Sequence, residues 1–344
     1  MPRFRAPWLI VALTLGCSSS TPWENELDWR SVTTAQPTEV GRLPNGRLCF
    51  ADIGIGVDTP SGRVVRVPGS IQCDTGNVEG AYEVVAQGDM SAFGQPITSA
   101  NGLAMAFGSN VYRFNRSGAL VKETLNGPIP TAYDGSGRAI VVAGGSVTRT
   151  EPSGPPTVLL PSAPNGTLFV APDDRVFVAN YQFSSGSEID EIVGGKLVPV
   201  LPCATAALAN CKNALAPIGF DDAGNLYVTG LVVLPSGVTG YPFLKIDKNR
   251  VVSSLPQAPT PANPKTSCGV TGGGKIVCMY AFAESDDPPW SKHVELVEFD
   301  GSWNRIGLGP AYGYDGTNYL VAARDDDSVI ILATRGNEPY GLGY

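Results

Sequence analysis

The stretch PTAYDGSGRAIVVAGGSVTRTEPSG, residues 130–154, says something the chain has just said. Its second part, AIVVAGGSVTRTEPSG (139–154), overlies LAMAFGSNVYRFNRSG (103–118) with equal length, apolar starts and the same closing Ser-Gly. Val111 falls on Val147, Arg113 on Arg149 and Gly118 on Gly154. A strand–turn–strand unit repeated at a fixed spacing marks a repeat architecture, in which no single copy can shelter its apolar faces alone.

Working outward, the same signal recurs. Apolar runs flank a turn in VGRLPNGRLCFA (40–51), ITSANGLAMAF (97–107), TAYDGSGRAIVVA (131–143), LFVAPDDRVFVA (168–179), IGFDDAGNLYVTG (218–230), CGVTGGGKIVCMY (268–280) and AYGYDGTNYLVAA (311–323). Each reads as a β-hairpin. A third alternating strand follows each, among them RVVRVPG (63–69), NVYRFNRSG (110–118), PFLKIDKN (242–249), HVELVEFDG (293–301) and SVIILATRG (328–336). A fourth short apolar run comes after several of these, as in TVLL (157–160) and KLVPV (196–200).

Four antiparallel strands per unit, at roughly 36 to 55 residues per unit, predict an all-β chain folded as a β-propeller. Seven four-stranded blades are expected, with six and eight as the alternatives. Only ATAALANCKNAL (204–215) could hold a turn or two of helix. The largest loop variation falls at 73–95, 231–241 and 281–292.

Composition agrees. Of 344 residues, 43% are hydrophobic and 16% charged, which supports a packed core; Gly 41 and Pro 29 together make about a fifth of the chain, as turn-dense β proteins require. The net charge is −8 and no Lys/Arg run follows the first few residues, so a nucleic-acid face is not expected.

The first twenty residues, MPRFRAPWLIVALTLGCSSS, carry Arg3 and Arg5 before an apolar run at 8–15 that is too short to span a bilayer. This is the pattern of a signal peptide. Its end at Gly16-Cys17 resembles a bacterial lipoprotein signal, although Thr14 stands where that family has Leu. The resemblance implies lipidation of Cys17 and a lipid anchor as the only membrane attachment, with plain secretion as the alternative. The expected organisation is a signal peptide at 1–16, a lipidated tether at 17–35 and a propeller at 36–344. The expected location is the bacterial cell envelope, periplasmic or surface-exposed, on the outer membrane.

With Cys17 assigned to lipid, six of the seven cysteines remain. An even number in an exported chain suggests disulfides. Proximity suggests Cys203–Cys211 and Cys268–Cys278, leaving Cys49 with Cys73. There is no Cys-x-x-Cys and the only histidine, His293, opens a strand-like run.

FDDAGNLYVTG (220–230) resembles the NHL-type repeat, and APNGTLFVAPDDRVFVANY (163–181) resembles the gluconolactonase, or senescence-marker-protein, family. That resemblance implies a divalent metal in a central channel, polarising a lactone carbonyl or activating water. It maps one ligand to Asn165 and a second to Glu39, near the start of the first inner strand. A further position, where the family has Asp, is Ala216-Pro217-Ile218 here. Asn101 resembles another such residue but falls in a hairpin turn. At most two ligands of four survive, so calcium or zinc would be weakly held and no cofactor is expected.

Other chemistry is sparse. There is no Gly-x-Ser-x-Gly elbow. Asp325–Asp327 read as a solvated turn, with a calcium site as the minority reading, and SDDPPW (285–290) as a loop tip. The Tyr-rich stretches YGYDGTNY and NEPYGLGY complete the last blade. The chain is therefore expected to be a non-catalytic binding or scaffold propeller, meeting an envelope protein, a glycan or a small molecule at its rim or channel. A metal-dependent lactonase-type hydrolase is the alternative.

Overall fold

A computed structural model of the chain describes residues 8–12, 28–32, 37–58, 64–75, 82–88, 94–180, 187–202, 214–233, 239–240, 242–256, 258, 265–282, 293–310, 318–326 and 329–334. Every regular element among them is a strand. The strands form six hydrogen-bonded sheets. Four of these are four-stranded; one has four strands in order plus Thr239–Gly240 at its side; the sixth has eight strands. The eight-stranded sheet is two four-stranded meanders joined where Ala132 and Tyr133 pair in parallel with Thr98 and Ser99.

We number these four-strand units along the chain. Unit 1 is Pro37–Arg42, Leu48–Asp58, Val64–Asp74 and Tyr82–Gln87; unit 2 is Gly94–Ser99, Ala104–Phe107, Asn110–Phe114 and Leu120–Thr124. Unit 3 is Ala132–Tyr133, Ala139–Ala143, Ser146–Arg149 and Thr157–Leu160; unit 4 is Gly166–Val170, Val176–Asn180, Ser187–Val193 and Lys196–Pro202. Unit 5 contains Ala214–Phe220, Leu226–Val233, Phe243–Ile246 and Val252–Leu255; unit 6 contains Lys265–Val270, Ile276–Phe282, His293–Phe299 and Trp303–Pro310. Unit 7 draws Asn318–Ala323 and Val329–Thr334 from one end of the chain, and Trp8–Ala12 and Asp28–Val32 from the other.

Successive residues on a strand point to opposite faces, and here both faces meet apolar neighbours. In unit 5, Leu226, Val228, Leu244 and Ile246 pack with Phe169, Phe177 and Ile189 of unit 4. The residues between them, Tyr227 and Phe243, pack with Val270, Ile276 and Cys278 of unit 6. Unit 4 repeats the arrangement, turning Leu168, Val170, Val176 and Val178 toward Ala132, Ile140 and Val147 of unit 3. In unit 1, Cys49, Ala51 and Ile71 join Leu103, Met105 and Phe114 of unit 2, while Leu48 and Phe50 join Ala322 and Ile330 of unit 7. The first unit is thus covered by the second on one face and the seventh on the other. Sheets stacked face to face with the last returned to the first make a propeller, and the near-continuous apolar strands follow from burial on both faces.

The repeat that opened the sequence reading is present in space. Val111 and Val147 are both fully buried, in the third strands of units 2 and 3. Gly118 and Gly154 both adopt positive φ, 75° and 96°.

Two expectations are corrected. The stretch 73–95 is not only a loop: the third strand of unit 1 runs on to Asp74, and Tyr82–Gln87 is the fourth. In unit 7, Asn318–Ala323, expected as the second strand of a hairpin over 311–323, lies innermost among the described strands, against the first strands of units 6 and 1. It pairs antiparallel with Val329–Thr334. Asp315-Gly316, where the turn was expected, lies outside the described residues. Residues 203–213, which held the possible helical turn, lie outside the described residues; Ala214 and Leu215 begin a strand.

Candidate functional site

The first strands of successive units lie against one another. Those of units 2 and 3, 3 and 4, 5 and 6, 6 and 7, and 7 and 1 are in contact. These strands line the axis, and the parallel pairing of units 2 and 3 sets their common direction. The turns that follow them gather at one end, and their beginnings at the other.

The turn end is built from one repeated device. In LPNGR, DGSGR, APDDR, DDAGN and TGGGK, the amide of the first residue donates to the carbonyl of the fifth, and the fourth amide donates back to the first carbonyl. The fourth residue needs positive φ: Gly46, Gly137, Gly224 and Gly274 take 80–87°, and Asp174 fills the same place at 71°. Where the first residue has a side-chain oxygen it accepts the fifth amide, as Asp134 does from Arg138 at 2.8 Å, Asp221 from Asn225 at 2.8 Å and Thr271 from Lys275 at 3.1 Å. Sequence and backbone geometry agree here because Asp, Asn and Thr satisfy turn amides locally.

From unit 2 to unit 7 each turn then reaches a neighbour. Asn101 Nδ2 of unit 2 donates to Gly135 O of unit 3 at 3.1 Å. Asp174 of unit 4 accepts from Ser136 N at 3.0 Å and Ser136 Oγ at 2.8 Å, and pairs with Arg116 at 3.1 Å and Arg138 at 3.3 Å. Burial alone would raise the Asp174 carboxyl; the Ser136 bonds and the two guanidinium groups hold it below its ordinary value. Arg175 of unit 4 donates to Gly224 O of unit 5 at 2.6 Å, and Asp222 N of unit 5 to Gly272 O of unit 6 at 3.0 Å. Gly273 N of unit 6 donates to Asp325 of unit 7 at 2.8 Å, and Arg324 of unit 7 pairs with Asp74 of unit 1 at 2.9 Å.

The two arginines of the opening repeat belong to this scheme. Arg113 pairs with Glu123 and stacks 5.2 Å over the Tyr133 ring of unit 3, while Arg149 approaches Asp134 at 3.9 Å. Arg42, at the end of unit 1's first strand, bonds Asp222 of unit 5 at 2.6 Å.

The opposite rim carries the positions that the sequence singled out. Glu39 sits in Pro37–Arg42, opposite Ala51 beside an irregularity in the pairing. Its half-buried carboxyl is raised by burial from 4.5 to about 7. Next to it, Thr38 Oγ1 is buried without a hydrogen-bond partner. Asn165 is exposed, immediately before Gly166–Val170 of unit 4. Ala216, Pro217 and Ile218 lie in the first strand of unit 5 and offer no side-chain oxygen. Among the described residues, no group of three or more His, Cys, Asp or Glu side chains gathers as a metal site. One desolvated carboxyl, one exposed amide and an aliphatic third position do not fit a hard divalent cation, which requires several converging oxygens.

The other assignments fall as follows. Asn101 is in a turn, buried and held by Phe114 O and Gly135 O at 3.1 Å each, so its role is to join units. Cys49–Cys73 and Cys268–Cys278 are disulfides, each between residues directly opposed across a strand pair. Cys17, Cys203 and Cys211 lie outside the described residues, as do Asp327, the SDDPPW tip, 311–317 and 335–344. His293 begins the strand His293–Phe299. Asp325 and Asp326 are exposed turn residues, but Asp325 is also a clasp to unit 6. No described helix is long and apolar enough to cross a membrane. Sequence reasoning missed Arg42, Asp222 and Asp74; the repeated turn pattern located the turns but not their partners.

No family model matches the sequence, and no curated protein matches it. Among solved structures, the chain is similar to a gluconolactonase from Xanthomonas campestris, important in glucose secondary metabolic pathways, at 13% identity over 88% of this chain and 84% of that one, with a TM-score of 0.37. It is also similar to a thermostable family-43 glycoside hydrolase at 12% identity over 90% of this chain and 96% of the other, with a TM-score of 0.28. At these TM-scores neither likeness bears on chemistry, and the propeller assignment stands on the sheets and cores of this chain.

Proposed function

We propose that the protein is an exported propeller of seven blades, anchored by lipid on Cys17, that serves as a binding or scaffold module of the bacterial envelope. The seven units are read as its blades; removal of 1–16 takes Trp8–Ala12 out of the seventh, which then rests on the pair Asn318–Ala323 and Val329–Thr334. Its ligand is a small molecule, a glycan or the surface of another envelope protein, met at the rim where the inner strands begin. The observation that carries this reading is the character of that rim. Glu39 is a single desolvated carboxyl beside an unpartnered Thr38 hydroxyl, a pair suited to recognising a donor-rich ligand. One position that would help complete a catalytic cation site is occupied by Ala216, Pro217 and Ile218.

A second reading, a metal-dependent hydrolase of the lactonase kind, is favoured by one observation: Glu39 is on the first inner strand, as that resemblance requires. Thermal melting with calcium and with zinc separates the two. The binding-module reading expects no shift from either ion. A large shift, lost when Glu39→Ala and Asn165→Ala are combined, would favour the hydrolase. The anchor is tested separately by fractionation: Cys17→Ala should move the protein from the membrane fraction to the soluble one, and unchanged membrane recovery would refute the anchor.

A further inference from the structure

We infer that Arg42 is a cross-axis tie that holds the ring shut across its seam, the joint between the seventh unit and the first. Arg42 belongs to unit 1 and its Nη2 bonds Oδ1 of Asp222, 180 residues away in unit 5, at 2.6 Å. Units 6 and 7 stand between these two. A side chain that joins units 1 and 5 must therefore pass over the inner ends of both, at the axis.

The neighbours agree with that path. A Cβ added to Gly272 of unit 6 would lie 2.5 Å from Asp222 Oδ2 and 2.9 Å from Arg42 Nη1, so the guanidinium rests on that turn and a side chain there would displace it. Asp325 of unit 7, although burial alone would raise it, is held low by hydrogen bonds from Thr271 and Gly273 and by the charge of Arg42. One guanidinium from the first unit thus lies among acidic groups of the fifth and seventh, over a turn of the sixth.

At the seam itself the bonding is also polar. Arg324 pairs with Asp74 at 2.9 Å, beside the apolar cluster of Leu48, Phe50, Ala322 and Ile330. Asp222 is 67% exposed, so salt weakens the long tie. The ring therefore opens first at unit 7, and more readily as ionic strength rises.

Hydrogen exchange followed by mass spectrometry on the full chain tests this. Arg42→Gln and Asp222→Asn should each speed exchange in Asn318–Ala323 and Val329–Thr334 by roughly three- to fivefold at low salt, the range of one partly exposed ion pair. The double variant should go no further than either single one. Wild type in about 0.5 M NaCl should approach the variants. Arg116→Gln, which removes a pairing on the far side of the ring, should leave these two strands unchanged. Unaltered exchange in unit 7, a rise spread evenly over all units, or additive effects in the double variant would overturn the inference. If Arg42→Gln fails to fold, Asp222→Asn and the salt series decide alone.

Discussion

Replacing Glu39 by Gln should make the protein more stable at neutral and alkaline pH and leave it unchanged in mild acid. The carboxyl titrates at 4.5 when free and about 7 in the folded chain, because burial penalises its charged form. A group whose folded value is raised is no burden below the free value; it costs stability progressively as pH rises, and the cost is complete once the pH exceeds the folded value. With 1.36 kcal/mol per unit, the burden is about 2 kcal/mol by pH 6 and about 3 kcal/mol above pH 8. Gln carries no charge to desolvate at any pH. Urea unfolding of both proteins from pH 4.5 to 8.5 isolates the effect, since all other titrating groups are common to the pair. The difference in unfolding free energy should grow from near zero to about 3 kcal/mol. Parallel curves would show that the Glu39 carboxyl is solvated or paired, and the rim argued above would lose its one unusual group. Calcium in the buffer sharpens the experiment: if it erased the wild-type penalty at pH 7.5, a cation site would be present after all.

Three other outcomes follow from the same geometry. Cys49→Ser with Cys73→Ser should cost about 3.5 kcal/mol in chemical unfolding, from the 24-residue separation that the bond closes; a loss under 1 kcal/mol would mean the crosslink adds little to the paired strands. Gly102→Ala should destabilise by about 2 kcal/mol, because φ is +96° and the new Cβ would lie 2.5 Å from the Arg42 carbonyl oxygen; a neutral result in thermal melting would refute the close approach of units 1 and 2. Asp174→Asn should cost about 1–2 kcal/mol at pH 7 by releasing Arg116 and Arg138. Asp174 is held low in the folded chain, so this difference is present above its ordinary 3.8 and should shrink as pH falls below it; a pH-independent cost would refute the charged pairing.

The strands and most turns were legible in the sequence because their causes are local. A first residue with an oxygen, a fourth that tolerates positive φ and a fifth that completes the hairpin recur in DGSGR, DDAGN and TGGGK, and the structure uses all three alike. The pairing of Cys268 with Cys278 was legible for the same reason, since ten residues separate them across one hairpin. What was not legible is long-range. Arg42 and Asp222 are 180 residues apart, and nothing near either residue marks the other. The innermost place of Asn318–Ala323 in unit 7 is set by its contacts with the first strands of units 6 and 1, which its own segment does not reveal. Asp325 was read as solvated; it is exposed, yet it also accepts a neighbour's amide. Glu39 was located correctly on the first inner strand, but its desolvation is a property of packed neighbours and could not be read from its own segment.

The direct test of the account is an experimental structure of the exported form of the chain. It should place seven sheets about one axis, the seventh without Trp8–Ala12 but with Asn318–Ala323 and Val329–Thr334 against unit 1, and the Arg42 guanidinium on Asp222 across the turn-side mouth. A ring of six or eight sheets, an open seam, or Arg42 turned outward into solvent would contradict it.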